Sequence, residues 1–300
     1  MILIISKNKE ATTDEVIKWL FVMDKKFIRV NEDEVFEIKT KEKRIYIESS
    51  KNSFFIDEIE SVWYRRGGLK FKRLQYENPS VDMHMSEHQH WLEDYVIKML
   101  ESKKYINKQS NCHVNKLLVL KKAENLGLDV PSYYLAENTN HIHLGQSIVK
   151  PIAGNPTLEN ISEDIYGVMY TAVIDKYRTD EFFISFFQEK IDKDFEIRAF
   201  YLNGKCWSMA IFSQKDQQTK VDYRKYNDKK PNRNVPYKLP DNIEEKIHQL
   251  MTSLDPNCGS IDFIKKDNKF YFLEVNPVGQ FLNVSRICNY FLDREIAEYL

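Results

Sequence analysis

The sequence is most restrictive in what it leaves out. Its four cysteines, Cys112, Cys206, Cys258 and Cys288, include no close pair. That spacing argues against a metal knuckle, and scattered free thiols suit a reducing, cytoplasmic setting. No apolar run approaches the ~20 residues that a membrane helix requires. The formal net charge is −1, so no global field recruits nucleic acid or an anionic membrane. Neither an internal repeat nor a low-complexity tract is found. The opening "MILIISKNKEATTDEV" places its apolar residues ahead of its lysines and has no small-residue cleavage site, so it reads as a first β-strand and not as a signal peptide.

What remains is an ordinary soluble composition, 42% hydrophobic and 30% charged over 300 residues, enough for one large or two to three small domains. "MILIIS" predicts a strand, and "TTDEVIKWLFVM" a helix with a threonine cap. Strands are predicted at "KFIRV", "RIYIES" and "SVWYRR", the last ending in Gly67-Gly68. The amphipathic helix "EHQHWLEDYVIKMLES" closes this α/β unit, residues 1–108. A helix from Asn115 to Leu126 follows, with Asn115 as cap, Gly127 as stop and Pro131 against continuation. Next come the strand "SIVKP" and the loop-forming run "IAGNPTLEN". In the last third, "FEIRAFYLNGKCWSMAIFSQ" carries Asn203-Gly204, a strong hairpin signal. The polar, basic stretch from Lys215 to Lys238 reads as an exposed loop, and "DNIEEKIHQLMTSL" as a helix with Asp241 near its start. "GSIDFIKKDNKFYFLEVNP" is a second hairpin turning at Asp267-Asn268. The fold class is α+β, with a central unit over 109–187 and a C-terminal unit over 188–300.

The second hairpin carries the strongest chemical signal. Glu274 and Asn276 stand two residues apart on one strand and so point to one face. Pairing from a turn at Asp267-Asn268 brings Asp262 close to Glu274. Two carboxylates and a carboxamide suit a hard ion such as Mg2+, commonly held by one or two carboxylates plus substrate phosphates. The same residues also read as exposed polar positions on a one-sided sheet. Spacing alone leaves both readings open.

The run of "NKLLVLKKAENLGLDVPSYYLA", "SIVKPIAG", "FFQEKIDKDFEIRAF" and "GSIDF…FLEVNP" resembles ATP-grasp enzymes in order and spacing, over roughly residues 110–300. Through "WYRRGG", "IFSQ", "VDYRKYN", "KPNRNVPYKLP" and "LEVNPVGQF" it is most similar to the peptide maturases of graspetide clusters, the microviridin-type macrocyclases, and among them to the grasp-with-spasm branch. The resemblance implies an ATP-grasp fold behind an N-terminal α/β domain, with ATP between two α+β subdomains. Asp262, Glu274 and Asn276 match the positions that hold Mg2+, and Lys116 and Lys150 match two phosphate lysines. Gln188, Glu189, Lys190 and Ile191 would line the adenine, with Glu196 near the ribose or behind the ligand shell. Many ATP-grasp enzymes carry a glycine-rich flap after the second lysine; here only "AGNPT" is available.

Physical chemistry is consistent with these assignments. ATP brings about four negative charges that must be countered before an anion can attack it. Lys116 falls in the first turn of a helix, where its ammonium adds to the positive end of the dipole. Lys150 ends an apolar strand, an unusual place for an unpartnered lysine. Either lysine also reads as one of many solvated ones.

Such a ligase transfers the γ-phosphate to a carboxylate and forms an acylphosphate, which a nucleophile then displaces. Positioning and charge neutralisation dominate this chemistry, so a fixed arginine is expected beside the acceptor. By resemblance Arg198 bridges phosphate and acceptor, while Arg224, oriented by Asp222, recognises the peptide's acidic side chain. Glu196 and Arg198 also read as a plain same-face ion pair. Arg65 and Arg66 are expected at the peptide groove. The implied substrate is a ribosomal precursor peptide whose leader docks on the enzyme. Its core presents Asp or Glu together with Thr, Ser or Lys, and the product is a side-chain ester or amide macrocycle. Two other readings stand beside it: an ATP-dependent ligase adding an amino acid to a protein or small molecule, and a non-catalytic nucleotide- or peptide-binding module. A homodimer is left open. "HMSEH", His84 to His88, matches a zinc-protease pattern but has no evident third ligand.

Overall fold

The computed structural model describes residues 1–152, 157–162, 165–177, 180–225 and 227–300. Residues 153–156 of the "AGNPT" run and Tyr226 of "VDYRKYN" lie outside them.

The N-terminal unit is built on Ile2–Ser6, which lies between the parallel strands Phe27–Asn31 and Ser61–Tyr64. Lys104–Ile106 extends this sheet beyond Ser61–Tyr64. All five residues of Ile2–Ser6 are buried, as a central parallel strand covered on both faces requires. A second, mostly antiparallel sheet joins Ser53–Phe55, Arg44–Glu48 and Val35–Lys41, with Lys70–Phe71 at its edge. Helix Ala11–Val22 is capped by Glu10, whose side chain accepts the Thr12 N–H at 3.3 Å. Thr12 and Thr13 are buried inside the first turn, so the expected threonine cap is replaced by a carboxylate two residues before Thr12. Helix Pro79–Glu101 begins well before the predicted "EHQHW" start. Asn78 caps it by accepting the N–H groups of Ser80 and Val81, and proline occupies its first turn.

The central unit is an antiparallel sheet in the order Ala172–Val173, Ser147–Lys150, Glu181–Glu189, Tyr133–Asn138. A small hairpin, Thr157–Ser162 with Ile165–Val168, stands apart from it; part of "IAGNPTLEN" is therefore strand. Glu181–Glu189 runs across the boundary drawn at residue 187.

The C-terminal unit is a five-stranded antiparallel sheet ordered Arg233–Tyr237, Lys205–Phe212, Phe195–Leu202, Cys258–Lys266, Lys269–Asn276. Both predicted hairpins form. Asn203 and Gly204 take φ of 44° and 92°, the pair of positive angles that a tight two-residue turn needs. One face of the sheet packs Ile197, Ala199, Ile261, Phe263 and Phe272 against helices Asp241–Leu254 and Lys116–Asn125. The second helix, placed in the central unit by sequence, thus covers the C-terminal sheet. On the opposite face Phe200, Leu202 and Met209 share one core with Ile4, Val16 and Trp63 of the N-terminal unit and with Val284 and Ile296 near the end of the chain. The remainder of that face, beyond this apolar half, carries the charged residues considered next.

Candidate active site

Side chains that pair across neighbouring antiparallel strands point to the same face. Arg198 pairs with Asp262, and Asp262 pairs with Glu274. A single rung of the sheet therefore carries one guanidinium and two carboxylates side by side. Ser260 pairs with Asn276 on the same face, two residues along each strand. The three oxygen-bearing residues predicted from the hairpin converge.

Basic groups surround the rung. The Arg198 Nη1 donates to both Asp262 oxygens at 3.0 and 3.1 Å and to the Tyr223 hydroxyl at 3.2 Å; its Nη2 reaches the Gln280 carbonyl at 3.3 Å. Lys116 forms an ion pair with Glu274 at 3.1 Å, and Asn276 donates its amide N–H to the other Glu274 oxygen at 3.1 Å. Lys116 also lies 3.4 Å from the Pro151 carbonyl, next to Lys150. Asn115 positions it by capping the helix through the N–H groups of Leu117 and Leu118, as the sequence predicted.

The charges are strongly interdependent. Burial opposes the Glu274 anion, but Lys116 and Lys150 outweigh it and hold the carboxyl at about 2. Burial pushes the Asp262 carboxyl up, against the Arg198 charge and with help from neighbouring Glu274. Burial also pushes the Lys150 ammonium below its ordinary value, against the pull of Glu274. For Arg198 burial works against the charge, yet Asp262 and Tyr223 hold the guanidinium above its ordinary range. Two carboxylates on one rung, one paired with a fixed guanidinium and the other with a lysine ammonium, suit a cation together with phosphate oxygens.

Among the described residues no three His, Cys, Asp or Glu side chains gather into a metal cage. The rung supplies two carboxylates and completes its donor set with a carboxamide, which fits a hard ion that takes further oxygens from a nucleotide. His84 and His88 are exposed, with ring centroids 6.5 Å apart, and no third ligand joins them among the described residues.

No family model matches the sequence, and no curated protein matches it. Solved structures do match. Macrocyclase MdnC bound with precursor peptide MdnA, from Microcystis aeruginosa MRC, is 24% identical, with 100% of this chain and 99% of that chain covered and a TM-score of 0.76. A RiPP-associated ATP-grasp ligase from Chryseobacterium gregarium, in complex with ADP and a leader and core peptide, is 22% identical over 99% of this chain and 94% of that one, with a TM-score of 0.76. D-alanine–D-alanine ligase from Bacillus anthracis, complexed with ATP, is 13% identical over 99% and 94%, with a TM-score of 0.51. The chain has the ATP-grasp fold.

In the ATP-grasp arrangement the segment expected along the adenine is Gln188 to Ile191. Gln188 pairs with Ile148, and Phe186 with Lys150, so Gln188 lies on the same sheet face as Lys150. It is 1% exposed, and neither its amide nitrogen nor its amide oxygen has a partner among the described residues. An orphaned buried carboxamide is costly, and one on the same face as Lys150 fits a site completed by a ligand. The Glu189 N–H donates to the Ser132 carbonyl at 2.8 Å and the Lys190 N–H to the Gln146 carbonyl at 2.7 Å. Those two donors are thus already engaged by flanking segments, while Ile191 makes no backbone bond of this kind among the described residues. Glu196 shares a strand face with Arg198 but is engaged elsewhere. It accepts from Lys193 at 2.5 Å and from Ser213 at 3.1 Å, so the same-face ion pair with Arg198 is absent.

The acceptor residues divide. Asp222 is buried and accepts from Arg224 Nε at 2.8 Å, from Arg224 Nη2 at 2.6 Å and from the Thr171 N–H at 3.1 Å. It orients Arg224 and has little surface left for a peptide. Arg224 itself is 42% exposed on its side chain and holds its charge firmly through Asp222. Arg65 corrects an expectation. It is 3% exposed, donates to Thr12 Oγ1 at 2.7 Å and to the Val278 carbonyl, and lies 3.5 Å from Glu10. Arg66 joins the same cluster at 3.3 Å from Glu10. The pair fastens the N-terminal unit to the loop after Asn276; Arg65 is too enclosed to form a groove wall, whereas Arg66 keeps 35% of its side chain exposed. The stretch from Lys215 to Lys238 is likewise no simple solvated loop: Thr219 and Asp222 are buried, and Arg233–Tyr237 is the edge strand of the sheet. Tyr223 and Ser213, both in contact with rung or near-rung residues, were missed by sequence reasoning; only the "IFSQ" and "VDYR" motifs hinted at them.

Proposed function

We propose that this chain is an ATP-dependent peptide macrocyclase. It activates Asp or Glu side chains of a ribosomal precursor peptide as acylphosphates and joins them to Thr or Ser as esters, or to Lys as amides. The observation that carries this reading is the rung Arg198–Asp262–Glu274, flanked by Lys116 and Lys150, in an ATP-grasp fold. Support also comes from the two similar structures at TM-score 0.76, which hold a precursor peptide or a leader and core peptide.

In this reading Asp262, Glu274 and Asn276 hold Mg2+, which when bound neutralises charge on the phosphates. Lys116 and Lys150 meet the phosphate oxygens, Lys116 exchanging its Glu274 contact for them. Arg198 is fixed by Asp262, Tyr223 and the Gln280 carbonyl, so its second nitrogen edge presents a planar donor pair to the transferring group and the acceptor carboxylate. Arg224, locked by buried Asp222, binds the acidic side chain of the peptide. Gln188 closes on the base.

Incubation with ATP, Mg2+ and the precursor peptide tests this directly. The expected result is loss of one water per bond in the peptide's mass, with ADP formed. A mass gain equal to an added amino acid identifies the amino-acid ligase instead, and nucleotide binding without ADP identifies a binding module.

A further inference from the structure

Tyr223 leaves half of its hydrogen-bonding capacity unused at the rung. Its hydroxyl oxygen accepts from Arg198 Nη1 at 3.2 Å. That contact takes a lone pair and leaves the phenolic O–H as a donor, with no acceptor for it among the described residues. Polar groups in such surroundings are normally satisfied, so a donor left over beside the rung points to a ligand oxygen.

The residue is also held firmly. Its ring packs against the core that contains Phe200, Met209 and Ile211, and Met209 is the cross-strand partner of Arg198. The chain on either side is tied down: Lys193 Nζ donates to the Val221 carbonyl at 3.0 Å, the Thr171 N–H to Asp222 at 3.1 Å, and Asn232 Nδ2 to the Tyr223 carbonyl at 3.4 Å. Arg224, next in the chain, extends its charge onto Asp262 and Lys150, so the segment 222–224 overlooks the rung. Arg198 uses Nη1 on Asp262 and on Tyr223 itself, which leaves its other edge for phosphate and the Tyr223 O–H for a second oxygen.

We propose that Tyr223 is a catalytic residue of the acyl-transfer step, its O–H donating to the carbonyl oxygen of the acylphosphate and to the oxyanion that forms there. This rests on the ligase reading above and divides its chemistry between two side chains. The hydroxyl or amine of the acceptor side chain adds its lone pair to the acyl carbon, and the carbonyl π pair moves onto oxygen. Return of that pair breaks the bond from carbon to the phosphate oxygen. Inorganic phosphate leaves with the bonding electrons and takes up the proton that the nucleophile gives up. Tyr223 keeps its own proton throughout. Burial holds the phenol above its ordinary range, against the neighbouring Arg198 charge, so the group stays a neutral donor. Donors fixed in advance where charge develops are what a tetrahedral intermediate needs.

Single-turnover reactions of Tyr223→Phe with ATP, Mg2+ and the leader-and-core precursor peptide of the preceding assay, with hydroxylamine in the quench, test the proposal. The substitution keeps the packed ring and removes only the hydroxyl. The expected result is ADP formed near the wild-type rate, a peptide hydroxamate that reports accumulated acylphosphate, and ring closure slowed about 100-fold or more, the effect of one lost oxyanion donor. Melting temperature and ADP affinity should match wild type. Ring closure at the wild-type rate overturns the proposal. Equal slowing of ADP formation and ring closure also overturns it, since the hydroxyl would then serve only to steady Arg198 before phosphoryl transfer. A variant that fails to fold, read by circular dichroism, assigns the hydroxyl to the fold and overturns it as well. The ligase reading fails separately, in the wild-type chain, by an absence of both ADP and rings.

Discussion

Asp262 stands directly across the final hairpin from Glu274 because one residue between them and the turn, Leu273, is bulged. Below the bulge Phe263 pairs with Phe272; above it Asp262 pairs with Glu274 and Ser260 with Asn276. An unbulged hairpin turning at Asp267-Asn268 would set Asp262 opposite Leu273 and send Glu274 to the apolar face, since a one-residue slip inverts every side chain beyond it. The bulge thus gathers the oxygen ligands while leaving Phe272 and Val275 in the core.

Glu274→Ala should abolish turnover, with ADP release in the presence of peptide falling by at least about 100-fold. Its polar partners are Lys116 and Asn276, neither of them part of the apolar core, so the melting temperature should drop by only a few degrees. Unfolding of the variant at room temperature would assign Glu274 a structural role and remove it from the site.

Arg198→Lys keeps the charge but loses the fork. A single ammonium cannot serve Asp262, the Tyr223 hydroxyl and the Gln280 carbonyl while also reaching a substrate. Activity should fall by about 100-fold or more, with nucleotide affinity, measured by calorimetry, changed less than about tenfold. A variant with near-normal kcat would show that charge alone suffices there.

Much of this site was legible in the sequence because it is local. The Asn115 cap, the Asn203-Gly204 and Asp267-Asn268 turns, and the two-residue spacing of Glu274 and Asn276 are each read within a few residues. What escaped depends on distant partners. Arg65 looked like a groove residue because a strand-end arginine is usually solvated, but Glu10 and the Val278 carbonyl, 55 residues before it and more than two hundred after it in the chain, take it into the interior. Polar composition hid the burial of Asp222 in the same way, since its burial is compensated by Arg224 and Thr171. The Leu273 bulge left no composition signal at all.

Gln188→Met separates stability from binding. The substitution keeps the volume and removes two buried polar atoms that lack partners, so the ligand-free protein should melt at an equal or higher temperature. Affinity for ADP should fall by about tenfold, the worth of one good hydrogen bond. A lower melting temperature with unchanged ADP affinity would mean that the carboxamide serves the fold and not the nucleotide.

Arg224→Ala should spare ADP binding and stop ring formation. It also leaves Asp222 buried without its main partner, at a cost of about 1–3 kcal/mol in denaturant unfolding. Adding Asp222→Asn should recover part of that stability, because a neutral amide tolerates burial better than an anion, yet should not restore rings. Ring formation by the double variant would remove Arg224 from the acceptor site.

Glu196 gives the chain a pH dependence of its own. Burial raises its carboxyl from the ordinary 4.5 to about 7, against the opposing pull of Lys193 and Ser213. Between those values the folded chain binds a proton that the unfolded chain has released, so the associated stability is present below about 4.5 and is lost as pH rises to about 7. The full loss is about 3 kcal/mol at pH 8. Glu196→Gln cannot titrate, so its unfolding free energy, followed in urea from pH 5 to pH 8, should lack this downward component, whatever its absolute level. An identical slope in wild type and variant would show that Glu196 is ionised throughout, paired with Lys193 as a buried salt bridge.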